Sequence, residues 1–176
     1  MIGLKRGIVQ LTPYSPEWKD AYRVERESIS TNLGSFILDI QHVGSTAIPE
    51  CWAKPIIDIA IIIESLEKVE ECIFPLQQIG YDYKGENGIP DRHYFVKRIG
   101  GDIHTFHIHM CTPDNQNLQN QIIFRDYLLT HPAMIQAYSQ LKLELAERFP
   151  ENREAYTESK TSFIEYVINL AKNQKI

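Results

Sequence analysis

The sequence predicts an α+β domain: a small mixed β-sheet with flanking helices, ending in a C-terminal helical segment. Three observations carry this. Ile56 to Ile63 is nearly all isoleucine and reads as a strand buried on both faces. Tyr94 to Ile99 and Ile103 to Met110 flank Gly100-Gly101, the pattern of a hairpin. From about Asn115 onward the pattern is helical. The 176 residues fit one domain, 1–176, with a sheet core over about 1–112 and a helical tail over about 113–176.

In chain order, Ser15-Pro16-Glu17 marks a helix start, with Ser15 as cap and Pro16 at the first helical position. Trp18, Tyr22 and Ile29 give that helix an apolar side to about Leu33. Phe36 to Val43 alternates as a strand, and the Ile56–Ile63 strand follows. Ser65 caps an amphipathic helix to about Ile79. Tyr81-Asp82-Tyr83 is a short strand, and Glu86 to Pro90 is a turn-rich loop before the hairpin. His131-Pro132 and Phe149-Pro150 divide the tail into helices ending near Thr130, Phe149 and Ala171.

Composition excludes several classes. Net charge is −5 and the pI is near 5.7, so no nucleic-acid partner is expected, although a local basic pocket is allowed. No run of about 18 apolar residues exists for a membrane span. The N-terminus lacks the apolar region of a secretory signal, which predicts a cytoplasmic protein. Cys51, Cys72 and Cys111 are sparse, odd in number and free of any CxxC, and read as reduced, buried thiols.

Four groups of residues could carry chemistry. In His42-Val43-Gly44-Ser45-Thr46 a strand ends in a turn. Gly44 would let backbone N–H groups approach a phosphate, with Ser45 and Thr46 adding hydroxyl donors. In Lys54-Pro55-Ile56-Ile57-Asp58, an Asp inside an apolar run needs a metal, a cation such as Lys54, or a hydrogen-bond network. Alternation puts Asp58 and Ala60 on one face and Ile57, Ile59 and Ile61 on the other.

On the later strand, alternation pairs His107 with His109, and turns His104 away with Phe106. The pair could bind a metal, touch a phosphate, or be structural. Arg92, in Asp91-Arg92-His93, could clamp a phosphate. Lys142 and Lys160 sit in or beside apolar helical stripes, and Arg125 follows Phe124. Such cations either snorkel or form a wall facing the sheet.

His42 to Pro49, followed by Ala53-Lys54-Pro55-Ile56-Ile57-Asp58-Ile59, resembles the signature of the GrpB family, a domain also fused to some dephospho-CoA kinases. The resemblance continues through His107-Ile108-His109, Phe124 to Leu128, His131-Pro132, Tyr138, Leu141-Lys142, Tyr156 and Lys160-Thr161. It implies a nucleotidyltransferase-like fold, in which a Gly-Ser turn holds a triphosphate and two carboxylates, two residues apart, bind Mg²⁺. This sequence departs from that pattern: Ala60 stands where the second carboxylate would be, and His107 and His109 where a third would be carried. Glu50-Cys51-Trp52 replaces a stretch of small residues.

The leading expectation is a protein that binds a nucleotide or other phosphorylated small molecule; if it is an enzyme, its reaction is nucleotidyl or phosphoryl transfer, with Asp58 as the catalytic residue. A divalent metal (Mg or Mn, or Zn given the histidines) would sit on Asp58, His107 and His109. Gly44, Ser45, Thr46, Lys54, Arg92, Arg125, Lys142 and Lys160 would bind phosphate, with His42 and His93 as further candidates. The alternatives are a non-catalytic binding module and a metal-dependent hydrolase built on His107 and His109.

Overall fold

A computed structural model describes residues 1–174. Six strands form one sheet: β1 (Leu4–Lys5), β2 (Asp39–Val43), β3 (Ile57–Ile62), β4 (Tyr81–Tyr83), β5 (His93–Ile99) and β6 (Ile103–Cys111). The order is β2-β3-β6-β5-β4, with β1 on the open stretch of β6. Only β3 and β6 run parallel. The helices are α1 (Glu17–Leu33), α2 (Val69–Gln78), α3 (Gln116–Leu129), α4 (Pro132–Arg148), α5 (Arg153–Glu158) and α6 (Thr161–Asn173). No described helix is long and apolar enough to cross a membrane.

The isoleucine run divides the molecule. Ile57, Ile59 and Ile61 meet Trp18, Ile29 and Leu33 of α1, Leu76 of α2, and Phe95 and Ile108 of the sheet in the main core. The other side of β3 carries Asp58, Ala60 and Ile62. Ala60 and Ile62 are covered by Leu118 of α3 together with Val43 and Cys111. The tail makes its own core from Ile48, Cys51, Tyr127, Leu128, Ile135, Tyr138 and Val167. The end of β3 that carries Asp58 is left uncovered.

α1 is fastened to the sheet by Glu25, which is 6% exposed. Its carboxylate accepts from the Tyr81 hydroxyl at 2.9 Å and from Lys97 Nζ at 2.8 and 3.1 Å.

Several expectations shift. Pro16, not Ser15, occupies the cap of α1, and no side chain caps it. The strand expected from Phe36 begins only at Asp39, because Gly34–Phe36 forms a 3₁₀ turn with Gly34 at φ +53°. Ser65 does cap, accepting from Glu67 N–H at 3.3 Å, but onto a 3₁₀ turn that precedes α2. The last expected helix is two, broken at Ser159-Lys160. β1 carried no pattern in the sequence.

The alternation of β6 also fails at one point. Lys97 pairs with Phe106 and Arg98 with His104, so Thr105 is an extra residue in a β-bulge. The bulge turns His104 onto the side of His107, where its Nδ1 lies 3.0 Å from His107 Nε2. The expectation that His104 faces away with Phe106 is therefore corrected. All three cysteines are free and buried, as expected.

Replacing Glu25 by Ala strands Lys97 and the Tyr81 hydroxyl. Urea denaturation should show a loss of about 3 kcal/mol. The double variant Glu25→Leu/Lys97→Met should regain most of it. Equal stability of Glu25→Ala and wild type would refute the role given to this pair.

Candidate functional site

The uncovered end of β3 opens into a cavity of about 310 Å³ between the sheet and the helical tail. Its floor holds Asp58, His107 and His109; one wall is the Gly44-Ser45-Thr46 turn; the roof is Lys142 of α4, Tyr156 of α5 and Lys160.

The turn follows from two constraints at Gly44. Its φ is +72°, and a Cβ there would lie 2.7 Å from Asp58 Oδ2, so only glycine fits. After it, Ser45–Ala47 make a 3₁₀ turn, with Ala47 N–H donating to Gly44 O and Ile48 N–H to Ser45 O. Thr46 is buried and its hydroxyl is 3.0 Å from His42 Nε2.

Asp58 is about a third exposed, toward the cavity. Burial works against its charge, but His107 and His109 overrule it and hold the carboxyl far below the usual carboxylate range. His109 Nε2 lies 3.1 Å from Asp58 Oδ1, and His107 Nδ1 3.5 Å from the same oxygen. The hydrogen-bond network assigns the ring protons. Arg92 Nη1 is 3.5 Å from His109 Nδ1 and can only donate, so His109 carries its proton on Nε2, facing Asp58. A carboxylate only accepts, so His107 presents Nδ1–H to Asp58 and takes His104 Nδ1–H on Nε2.

This arrangement does not suit a divalent metal. The two ring nitrogens that face Asp58 carry protons rather than free lone pairs. A hard cation such as Mg²⁺ wants several oxygens, and Asp58 is the one carboxylate among the described residues that lines the cavity. Among the described residues, no group of three or more His, Cys, Asp or Glu side chains is set out to hold an ion. The surrounding charge points the same way, because Lys54, Lys142, Lys160 and Arg153 all line the cavity.

Those cations lack carboxylate partners: none enters an ion pair among the described residues. Lys142 is 1% exposed and satisfies itself on neutral groups. Its Nζ donates to Ser45 Oγ at 3.0 Å, to Cys51 Sγ at 3.2 Å and to the Trp52 carbonyl, over the Tyr138 ring at 4.3 Å. Lys160 and Lys54 share the Tyr156 ring, with Nζ 4.4 and 5.2 Å from its centroid. Burial lowers Lys160 to about 7, helped by Lys54 and Lys142, and lowers Lys54 to about 8, helped by Arg153.

Gly44, Ser45, Thr46, Lys54, Asp58, His107, His109, Lys142 and Lys160 thus line one cavity. Four candidates do not. Arg92 is buried behind His109, with Nη2 donating to the carbonyls of Glu86 and Asn87. Arg125 Nη1 donates to Gln41 Oε1 and the His42 carbonyl, tying α3 to β2. His42 pairs in register with Ile59, on the α1 side of the sheet, and stacks on Tyr22. His93 lies on that side too, 2.6 Å from the Tyr83 hydroxyl. Arg153 was missed, since an exposed cation opening a short helix resembles any solvated one.

Residues 8–169 match the sequence profile of the family described as GrpB protein. The chain belongs to the GrpB family. The UPF0157 protein YqkA of Bacillus subtilis is 37% identical over 167 residues, which cover 95% of this GrpB chain and 48% of that protein. The chain thus spans about half the length of that relative. A dephospho-CoA kinase of Mycolicibacterium paratuberculosis is 30% identical over 87% of this chain and 43% of its own length.

The crystal structure of GrpB from Enterococcus faecalis superposes with a TM-score of 0.86 at 34% identity, over 94% of this chain and 99% of that one. Terminal uridylyl transferase 4 from Trypanosoma brucei reaches 0.52 at 10% identity, over 77% of this chain and 46% of that one. The GrpB fold is therefore nucleotidyltransferase-like.

Gly44→Ala should cost about 1–3 kcal/mol through its φ and its collision with Asp58, and less in an Asp58→Ala background; additive costs in a denaturation cycle would reject the contact. Burial lowers His42 and His104 to about 4. Unfolded histidine takes its proton near 6.5, so between about 6.5 and 4 the unfolded chain binds more protons. Stability should fall as pH drops through that window, and urea midpoints that hold constant from pH 7 to 5 would contradict it.

Proposed function

We propose that the cavity binds a phosphorylated small molecule, a nucleotide being the favoured class, through its phosphate. One observation carries this reading: four cations and the Ser45 hydroxyl converge on a cavity where Asp58 is the only lining carboxylate among the described residues, already engaged by two histidines. An anion supplies the charge that these lysines lack, and its binding restores the protons that burial takes from Lys160 and Lys54. The nucleotidyltransferase-like fold supports a nucleotide, as does the T. brucei neighbour, described with bound dUTP. The arrangement favours binding without a resident metal.

A second reading is phosphoryl or nucleotidyl transfer. It is favoured by the ionised Asp58 at the cavity floor, which could accept a proton from an attacking hydroxyl. With Ala60 in place of a second carboxylate, a mechanism using two metal ions has no support in this chain.

Thermal-shift titration with nucleoside mono-, di- and triphosphates, in EDTA and in Mg²⁺ or Mn²⁺, tests both readings. Saturating ligand should stabilise the protein by about 3 kcal/mol at a hundred times Kd, in EDTA as well as with metal. Absence of any shift across the panel would overturn the proposal. Product formation would move the assignment to the second reading.

Lys160→Met should weaken binding about tenfold or more. Affinity should also fall as pH rises from about 7 to 9, because Lys160 and Lys54 lose their protons near 7 and 8. Calorimetry in buffers of different ionisation enthalpy should register proton uptake on binding. Affinity that is flat over this range would count against the lysines as the anion's partners.

A further inference from the structure

Arg153 lines more than the cavity described above. It also borders a second one, of about 270 Å³, walled by Arg6, Lys84, Arg98, His104 and Tyr94. A crevice of about 10 Å³ lies between them, bordered by Lys54 and Arg153 toward the first cavity and by Arg6 and His104 toward the second. The crevice holds no more than about one water, so a ligand spanning both cavities would cross over the exposed Arg153 side chain.

The second cavity keeps a cationic excess after its own carboxylates are counted. Asp82 pairs with Arg98 and lies 3.9 Å from Lys84. Asp102 lies 3.9 Å from Arg98 and 3.8 Å from His104. Arg6 and Arg153 enter no ion pair among the described residues. Two buried polar residues, Tyr94 and His104, line the wall. Tyr94 also packs on His107 and His109, with ring centroids 5.2 and 5.4 Å apart, so the two cavities share a backing.

We propose that the ligand carries a second anionic group, held in this neighbouring cavity by Arg6, Arg98 and Arg153. The inference rests on the reading of the first cavity as a phosphate site and narrows its substrate class. A molecule with two separated phosphates, such as a nucleoside bisphosphate, fits two basic cavities joined at one arginine. A single phosphate leaves the second cavity unused.

Calorimetry on the full chain with nucleoside 5′-monophosphates and the matching 3′,5′-bisphosphates tests this. The bisphosphate of the best-bound base should bind about tenfold tighter or more, because its second phosphate engages an anchored ligand. Arg6→Met and Arg98→Met should each remove most of that gain and leave monophosphate affinity unchanged. Arg153→Met should weaken both ligands. Equal affinity for the two classes, or a gain that survives both Arg6→Met and Arg98→Met, would overturn the second site while leaving the first intact. Binding of neither class would overturn both.

Discussion

Lys142 couples the two halves of this molecule. Its ammonium is buried yet has no carboxylate, and its hydrogen bonds go to Ser45, Cys51 and the Trp52 carbonyl. These partners all lie in the segment that joins β2 to β3. A buried cation without partners is costly, so α4 has few ways to sit on the sheet other than this one. That docking sets the depth of the cavity and brings Tyr138, Tyr156 and Lys160 over Asp58. Position and charge therefore meet in one side chain: Lys142 holds the roof in place and adds its charge to that of Lys160.

The chain as a whole is acidic, yet its principal cavity is basic. On the opposite side of the sheet, Glu25 of α1 turns inward to meet Lys97. An anion approaching the cavity side meets several cations, two of them softened by burial.

Much of this was legible in the sequence. An isoleucine run interrupted by Asp58 could be little else than a buried strand with one polar contact, and Gly100-Gly101 between alternating runs located the hairpin. Lys142 and Lys160 stood out because charge inside an apolar helical stripe is unusual. What stayed hidden depended on partners distant in sequence. Arg92 and Arg125 look like phosphate ligands until backbone carbonyls claim them. The break at Ser159-Lys160, with neither proline nor glycine, gave no local signal. Protons on His107 and His109 are set by Arg92 and by Asp58, and no spacing rule reveals that.

The bulge at Thr105 has a consequence of another kind. One extra residue decides whether His104 faces the helices or joins the histidines behind the cavity. A substitution at position 105 that keeps the flanking pattern leaves that facing unchanged, because the bulge is one extra residue between the paired positions. Gain or loss of a single codon in this hairpin would reverse it. Hairpin length is therefore a heritable marker of how this site is wired, one that sequence identity alone does not register.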